Sequence, residues 1–66
     1  MNTPMKYWII QFGRRDITHE LEFFESPRAG DWEIYHRGEH LGSLMGGNPV
    51  LFEHVDQSYQ AIHKKP

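Results

Sequence analysis

The sequence predicts an α+β fold, a four-stranded antiparallel sheet built from two hairpins with one C-terminal helix packed on one face, in the order ββββα. Three observations point to it. Apolar residues alternate with period two from Lys6 to Phe12 and again from Ile17 to Phe23, the spacing of half-buried strands. Clusters of turn-forming residues, GRRD at 13–16, SPRAGD at 26–31 and the Arg37-Gly38 pair, divide those runs. After GGNP the apolar spacing lengthens to that of a helix.

The first strand places Trp8, Ile10 and Phe12 on one face, with Tyr7, Ile9 and Gln11 on the other. These are aromatic and β-branched residues, which pack well on a pleated surface. Beyond GRRD, Ile17, His19, Leu21 and Phe23 alternate with Thr18, Glu20 and Glu22. A loop centred on Arg14 and Arg15 sets Phe12 opposite Ile17, Ile10 opposite His19 and Trp8 opposite Leu21, so both apolar stripes share one side. His19 interrupts that stripe and is expected as a neutral core histidine. It would have to acquire charge as pH falls, weakening the fold below about pH 6.

DWEIYH and HLGSLM flank Arg37-Gly38 as a second hairpin, with His36 and His40 four residues apart. Three loops are open to it. A two-residue loop at Arg37-Gly38 puts Ile34 opposite Leu41 and the two histidines on opposite sides of the sheet, because side chains alternate. A loop of His36-Arg37-Gly38 leaves one histidine in the loop and the other in the strand. Only a loop of Arg37-Gly38-Glu39 sets the imidazoles across from each other, and it wastes the glycine. No zinc-ligand spacing joins these histidines to His19, His54 or His63. No metal and no cofactor is expected.

Asn48 is a good N-cap and Pro49 suits a first helical position. Phe52, Val55, Tyr59 and Ile62 follow at spacings of three, four and three, with Lys64 and Lys65 near the end, where the helix dipole favours cations. A helix from Asn48 to His63 is therefore expected, with Phe52 and Tyr59 packing on Trp8, Ile10, Leu21, Trp32 and Ile34. The competing reading makes VLFEHV, residues 50–55, a fifth strand.

A chain of 66 residues with nine aromatics affords one small core and little wall for a deep pocket. A single domain over 1–66 is expected, with 1–5 and 64–66 as flexible tails. Cysteine is absent, so there is no disulfide framework, no thiolate nucleophile and no cysteine-ligated zinc. MNTPMKYWII has neither a signal-peptide core nor a membrane span, and a soluble, cytoplasmic protein is expected. Ser43 or Ser58 could be paired with a histidine on paper, but no nucleophile motif holds them together. GSLMGGNP lacks the spacing of a phosphate loop. No enzyme activity is expected.

The function expected is that of a small interaction or regulatory module. Its partner would be another protein or a second copy, docked on the uncovered sheet face through Tyr7, Ile9, Phe24 and Tyr35 or on an edge strand. The alternative is a nucleic-acid binder whose basic rim gathers Arg14, Arg15 and Arg37, near His36 and His40, at one end of the sheet. Net charge is −2, and Glu20, Glu22 and Glu33 are expected on the open face. Carboxylates there repel a phosphate backbone and favour the first reading.

Overall fold

A computed structural model describes residues 5–52 and 58–64. Among these residues seven strands form two antiparallel sheets around one core: β1 (Trp8–Phe12), β2 (Arg15–Asp16), β3 (Leu21–Glu25), β4 (Trp32–His36), β5 (Glu39–Met45), β6 (Asn48–Leu51) and β7 (Tyr59–His63). The smaller sheet has the order β2-β1-β7 and the larger the order β3-β4-β5-β6. Among the described residues the only helical element is a single 3-10 turn, Thr18–Glu20, and no helix is long and apolar enough to cross a membrane.

The α+β expectation fails at its C-terminal helix, and the reason is local. Gly46 and Gly47 both have positive φ, 56° and 82°. They close a two-residue turn between Met45 and Asn48, which pair directly, instead of leading into a helix cap. Asn48 and Pro49 thus begin β6, at the edge of the sheet, where a proline without an N–H is tolerated. The stretch expected to end the helix is β7, and its burial alternates through Tyr59, Gln60 and Ala61. The competing fifth strand over 50–55 meets β6 only at Val50 and Leu51; residues 53–57 lie outside the described residues.

The first hairpin is also shorter than the alternation suggests. Phe12 pairs with Arg15 and Gln11 with Asp16, not with Ile17 and beyond. Thr18 stops the ladder there: its hydroxyl oxygen accepts the Ile10 N–H at 2.9 Å, filling a backbone bond that a longer β2 would have made. The same hydroxyl donates to Asp16 Oδ1 at 2.6 Å, and the Thr18 N–H donates to that oxygen at 2.9 Å. This local side-chain capture competes with strand pairing. The chain then turns through the 3-10 segment and enters the other sheet as β3. The other edge of β1 pairs with β7 along its full length, from Trp8↔His63 to Phe12↔Tyr59.

In the second hairpin the Arg37-Gly38 loop holds, with φ of 52° and 81°, as a two-residue hairpin turn requires. His36 pairs with Glu39 and Tyr35 with His40, but a bulge then inserts Leu41, so that Gly42 and not Leu41 lies opposite Ile34. Leu41, Gly42 and Leu44 are consequently all buried, giving β5 more inward residues than alternation allows.

The core comprises Met5, Ile10, Ile17, Ile34, Leu41 and Leu44, with Trp8, Leu21, Phe23, Trp32, Leu51, Tyr59 and Ala61 packed against it. Met5 belongs to the core and not to a tail. His19 is exposed in the 3-10 turn and is no core histidine, so the expected acid sensitivity does not arise from it. Phe52, expected to pack inward, is exposed. Trp8 ties the sheets together at one end, its indole N–H donating to the Gly47 carbonyl at 3.0 Å.

At Gly42 the backbone of β6 leaves no room for a side chain on β5. A Cβ there would run into the Val50 carbonyl oxygen and lie 2.9 Å from Leu51 Cα, both backbone atoms that cannot swing aside. Gly42→Ala should therefore destabilise the protein by about 1–3 kcal/mol, the usual cost of overpacking. Urea denaturation of the two proteins checks it, and an unchanged midpoint would contradict the β5–β6 spacing.

Candidate functional site

The outward-facing residues of the larger sheet follow from its register. Glu22 and Phe24 on β3, Glu33 and Tyr35 on β4, His40 and Ser43 on β5, and Val50 on β6 alternate with the inward set. Phe52, just past β6, reaches the same face. Across it runs a continuous row of rings. Phe24 meets Tyr35 edge to face with centroids 5.3 Å apart, Tyr35 stacks on His40 at 4.6 Å and 15°, and His40 meets Phe52 edge to face at 4.8 Å. All three distances fall in the range of favourable aromatic pairs.

Polar side chains beside the row hold it in place. Glu33 Oε1 accepts from the Ser43 hydroxyl at 3.0 Å and lies 2.7 Å from His40 Nε2. Because a carboxylate only accepts, His40 carries its proton on Nε2, and that bond fixes the ring under Tyr35. Two open clefts meet at Glu33. One, of about 360 Å³, is lined by Glu22, Phe24, Glu33, Tyr35 and Gly38. The other, of about 220 Å³, is lined by Ser26, Arg28, Asp31, Glu33, Ser43 and Met45.

Of the four residues expected to dock a partner, the structure brings two together. Phe24 and Tyr35 touch on this face, whereas Tyr7 and Ile9 belong to the smaller sheet and its flank. There Ile9 pairs with Ile62, and the Tyr7 ring lies 6.5 Å from that of His63. His40 and Phe52 complete the row. His40 was legible as a strand residue opposite Tyr35, but Phe52 was hidden by the helical spacing it shares with Tyr59.

His36 points the other way and is buried. Its Nε2 lies 3.1 Å from Glu20 Oε1 and its Nδ1 3.0 Å from the Tyr59 hydroxyl. With the carboxylate accepting from Nε2–H, Nδ1 is left to accept the tyrosine O–H. The two histidines thus face opposite sides of the sheet and cannot share an ion. Hydroxyl, imidazole and carboxylate stand in the order of a nucleophile relay, yet none of the three lines either cleft. Burial, with Glu39 adding to it, pushes the Tyr59 phenol above its ordinary value, so the hydroxyl stays protonated and serves as a donor linking β7 to β4.

The expected basic rim is offset in part by one carboxylate. Arg15 Nη1 pairs with Glu20 Oε2 at 3.0 Å and Arg37 Nη2 lies 3.5 Å from Glu20 Oε1. Only Arg14, exposed in the first turn, stands apart from this cluster. Glu20 itself is not on the open face but inside the cluster. No protein-family model, curated protein or solved structure matches the chain.

Hydrogen bonding to His36, with Arg15 and Arg37 nearby, holds the Glu20 carboxyl below its usual range. The Thr18 hydroxyl and N–H do the same for Asp16. A carboxyl with a lowered folded pKa stabilises above its unfolded value and loses that contribution as pH falls through the folded one. Melting temperature should therefore hold from pH 7 to about 5 as far as these groups are concerned and decline below about pH 4. Glu20→Gln should flatten the decline; an acid limb identical to the wild type would remove Glu20 from the account.

Proposed function

We propose that the protein is a non-enzymatic interaction module that binds another protein through the outer face of its four-stranded sheet. The observation that carries this reading is the ring row Phe24–Tyr35–His40–Phe52. Phe24, Phe52, Val50 and Met45 are 52%, 45%, 51% and 45% exposed, and all four lie on or border this face. Single exposed apolar residues are ordinary, but a contiguous aromatic and aliphatic patch is the mark of an interaction surface. Aromatic residues are also the ones enriched at interface centres.

Bases could stack on such a row, but two features weigh against nucleic acid. Glu22 and Glu33 flank the rings, and two of the three arginines expected to hold phosphates, Arg15 and Arg37, are paired with Glu20. A homodimer through this face would bring the same carboxylates against their own copies. A partner of different composition fits better.

Photocrosslinking in cells tests the reading. Benzoylphenylalanine placed at Phe24 or Phe52 should capture a protein partner, and the same probe at Gln60 on the smaller sheet should not. Adducts with nucleic acid alone, or equal capture from all three positions, would sink it. The face should also be separable from the core: Phe24→Ser should cost less than about 1 kcal/mol of stability, as exposed sites do, and Trp32→Ala about 3–5 kcal/mol.

A further inference from the structure

We infer that the larger cleft receives the cationic side chain of a lysine or arginine, presented by an extended basic segment of the partner protein. This rests on the proposed binding face and adds the chemistry of what it recognises. The cleft has two aromatic walls, Phe24 and Tyr35, with ring planes at 89°, and two carboxylates, Glu22 and Glu33. A cation near a ring face is drawn to the quadrupole, and the methylene stem of lysine or arginine covers apolar surface while its head stays polar. Each wall of the cleft therefore has a counterpart in one long basic side chain.

The carboxylates have capacity left for it. Glu22 is exposed and has no ion-pair partner among the described residues. Glu33 uses Oε1 for both Ser43 and His40, which leaves Oε2 to accept a further donor. The adjoining cleft shares Glu33 and adds Asp31 and Arg28, one charge of each sign. A volume of about 360 Å³ is at the low end of ligand pockets, roughly 300–1,000 Å³, and suits one side chain with its neighbouring backbone.

Topology supplies a way to present it. β3, which carries Glu22 and Phe24, is an edge strand of the larger sheet. A segment lying extended along it would place alternate side chains over the outer face. An acidic or neutral segment gains nothing from Glu22 and Glu33, and a nucleic-acid backbone is repelled by them.

The test uses the full chain and fluorescein-labelled ten-residue peptides of threonine, valine and serine with a central Lys, Arg, Gln or Glu, followed by anisotropy. The Lys and Arg peptides should bind about fivefold or more tighter than the Gln peptide, the scale of an exposed cation–π contact with a carboxylate beside it. Glu22→Gln should remove most of that preference and its salt dependence, and Phe24→Leu should weaken the Lys peptide while Tyr7→Ser leaves it alone. Equal binding of the Lys and Gln peptides, still lost in Phe24→Leu, would overturn the cation site and leave the wider reading of the face standing. Binding indifferent to Phe24 and Glu22, or no binding of any peptide, overturns the cation site, and the crosslinking experiment then decides the wider reading by itself.

Discussion

The side chain of Thr18 decides where the chain goes. By accepting the Ile10 N–H and donating to Asp16, it ends the first hairpin after two pairs and turns the backbone out of that sheet. One consequence follows from this capture: β3 is released to become the edge of the larger sheet. Had the hairpin continued, Phe24 would have stood in the same sheet as Trp8, and the ring row could not have formed. Ile10, Ile17 and Thr18 are all buried around that junction, so the bond is made where an unpaired N–H would cost about 1–3 kcal/mol.

The second tie between the sheets is the chain of contacts from Tyr59 through His36 to Glu20. It connects β7, β4 and the 3-10 turn, and it draws Arg15 and Arg37 to the same carboxylate. Its surface ion pairs contribute little each, but the histidine is buried and would leave the Tyr59 hydroxyl or the Glu20 carboxylate poorly satisfied if removed. The arrangement also sorts the charge of the molecule. Arg15 and Arg37 are gathered on Glu20 at one end, while Glu22 and Glu33 stand on the outer face.

Most of the strands were legible from alternation, because Trp8, Ile10 and Phe12, and then Trp32 and Ile34, each present one apolar stripe. The Arg37-Gly38 turn was legible from its residue types. What alternation cannot carry is which strands pair. A strand has two edges, and nothing in the spacing of Ile17, His19 and Leu21 distinguishes a continued hairpin from a break at Thr18; the Asp16-Ile17-Thr18 spacing was the available sign. The C-terminal misreading has a similar origin. Phe52, Tyr59 and Ile62 fit a helical period only if they share one face, whereas Tyr59 turns inward, Ile62 outward, and Phe52 joins the other sheet. Half of the candidate site, Phe24 and Tyr35, came from recognising aromatics on an open face, and the other half depended on a register that only tertiary pairing supplies.

An exposed aromatic row on a sheet is an aggregation hazard as well as an opportunity, and the way it is held bears on both. His40 is gripped from three sides: by Glu33 through a hydrogen bond, by Tyr35 through stacking and by Phe52 at its edge. Rings fixed in this way lose little rotamer freedom when a partner arrives, and that ordering cost is a main deduction from protein–protein affinity. The flanking carboxylates act in the opposite direction on unwanted contacts, since two copies meeting face to face would oppose like charges. Rigidity therefore favours binding in general, and the proposed cation site would narrow it to a basic partner. The two properties meet in Glu33, which orients His40 through Oε1 and lines the cleft proposed to take the partner's cation.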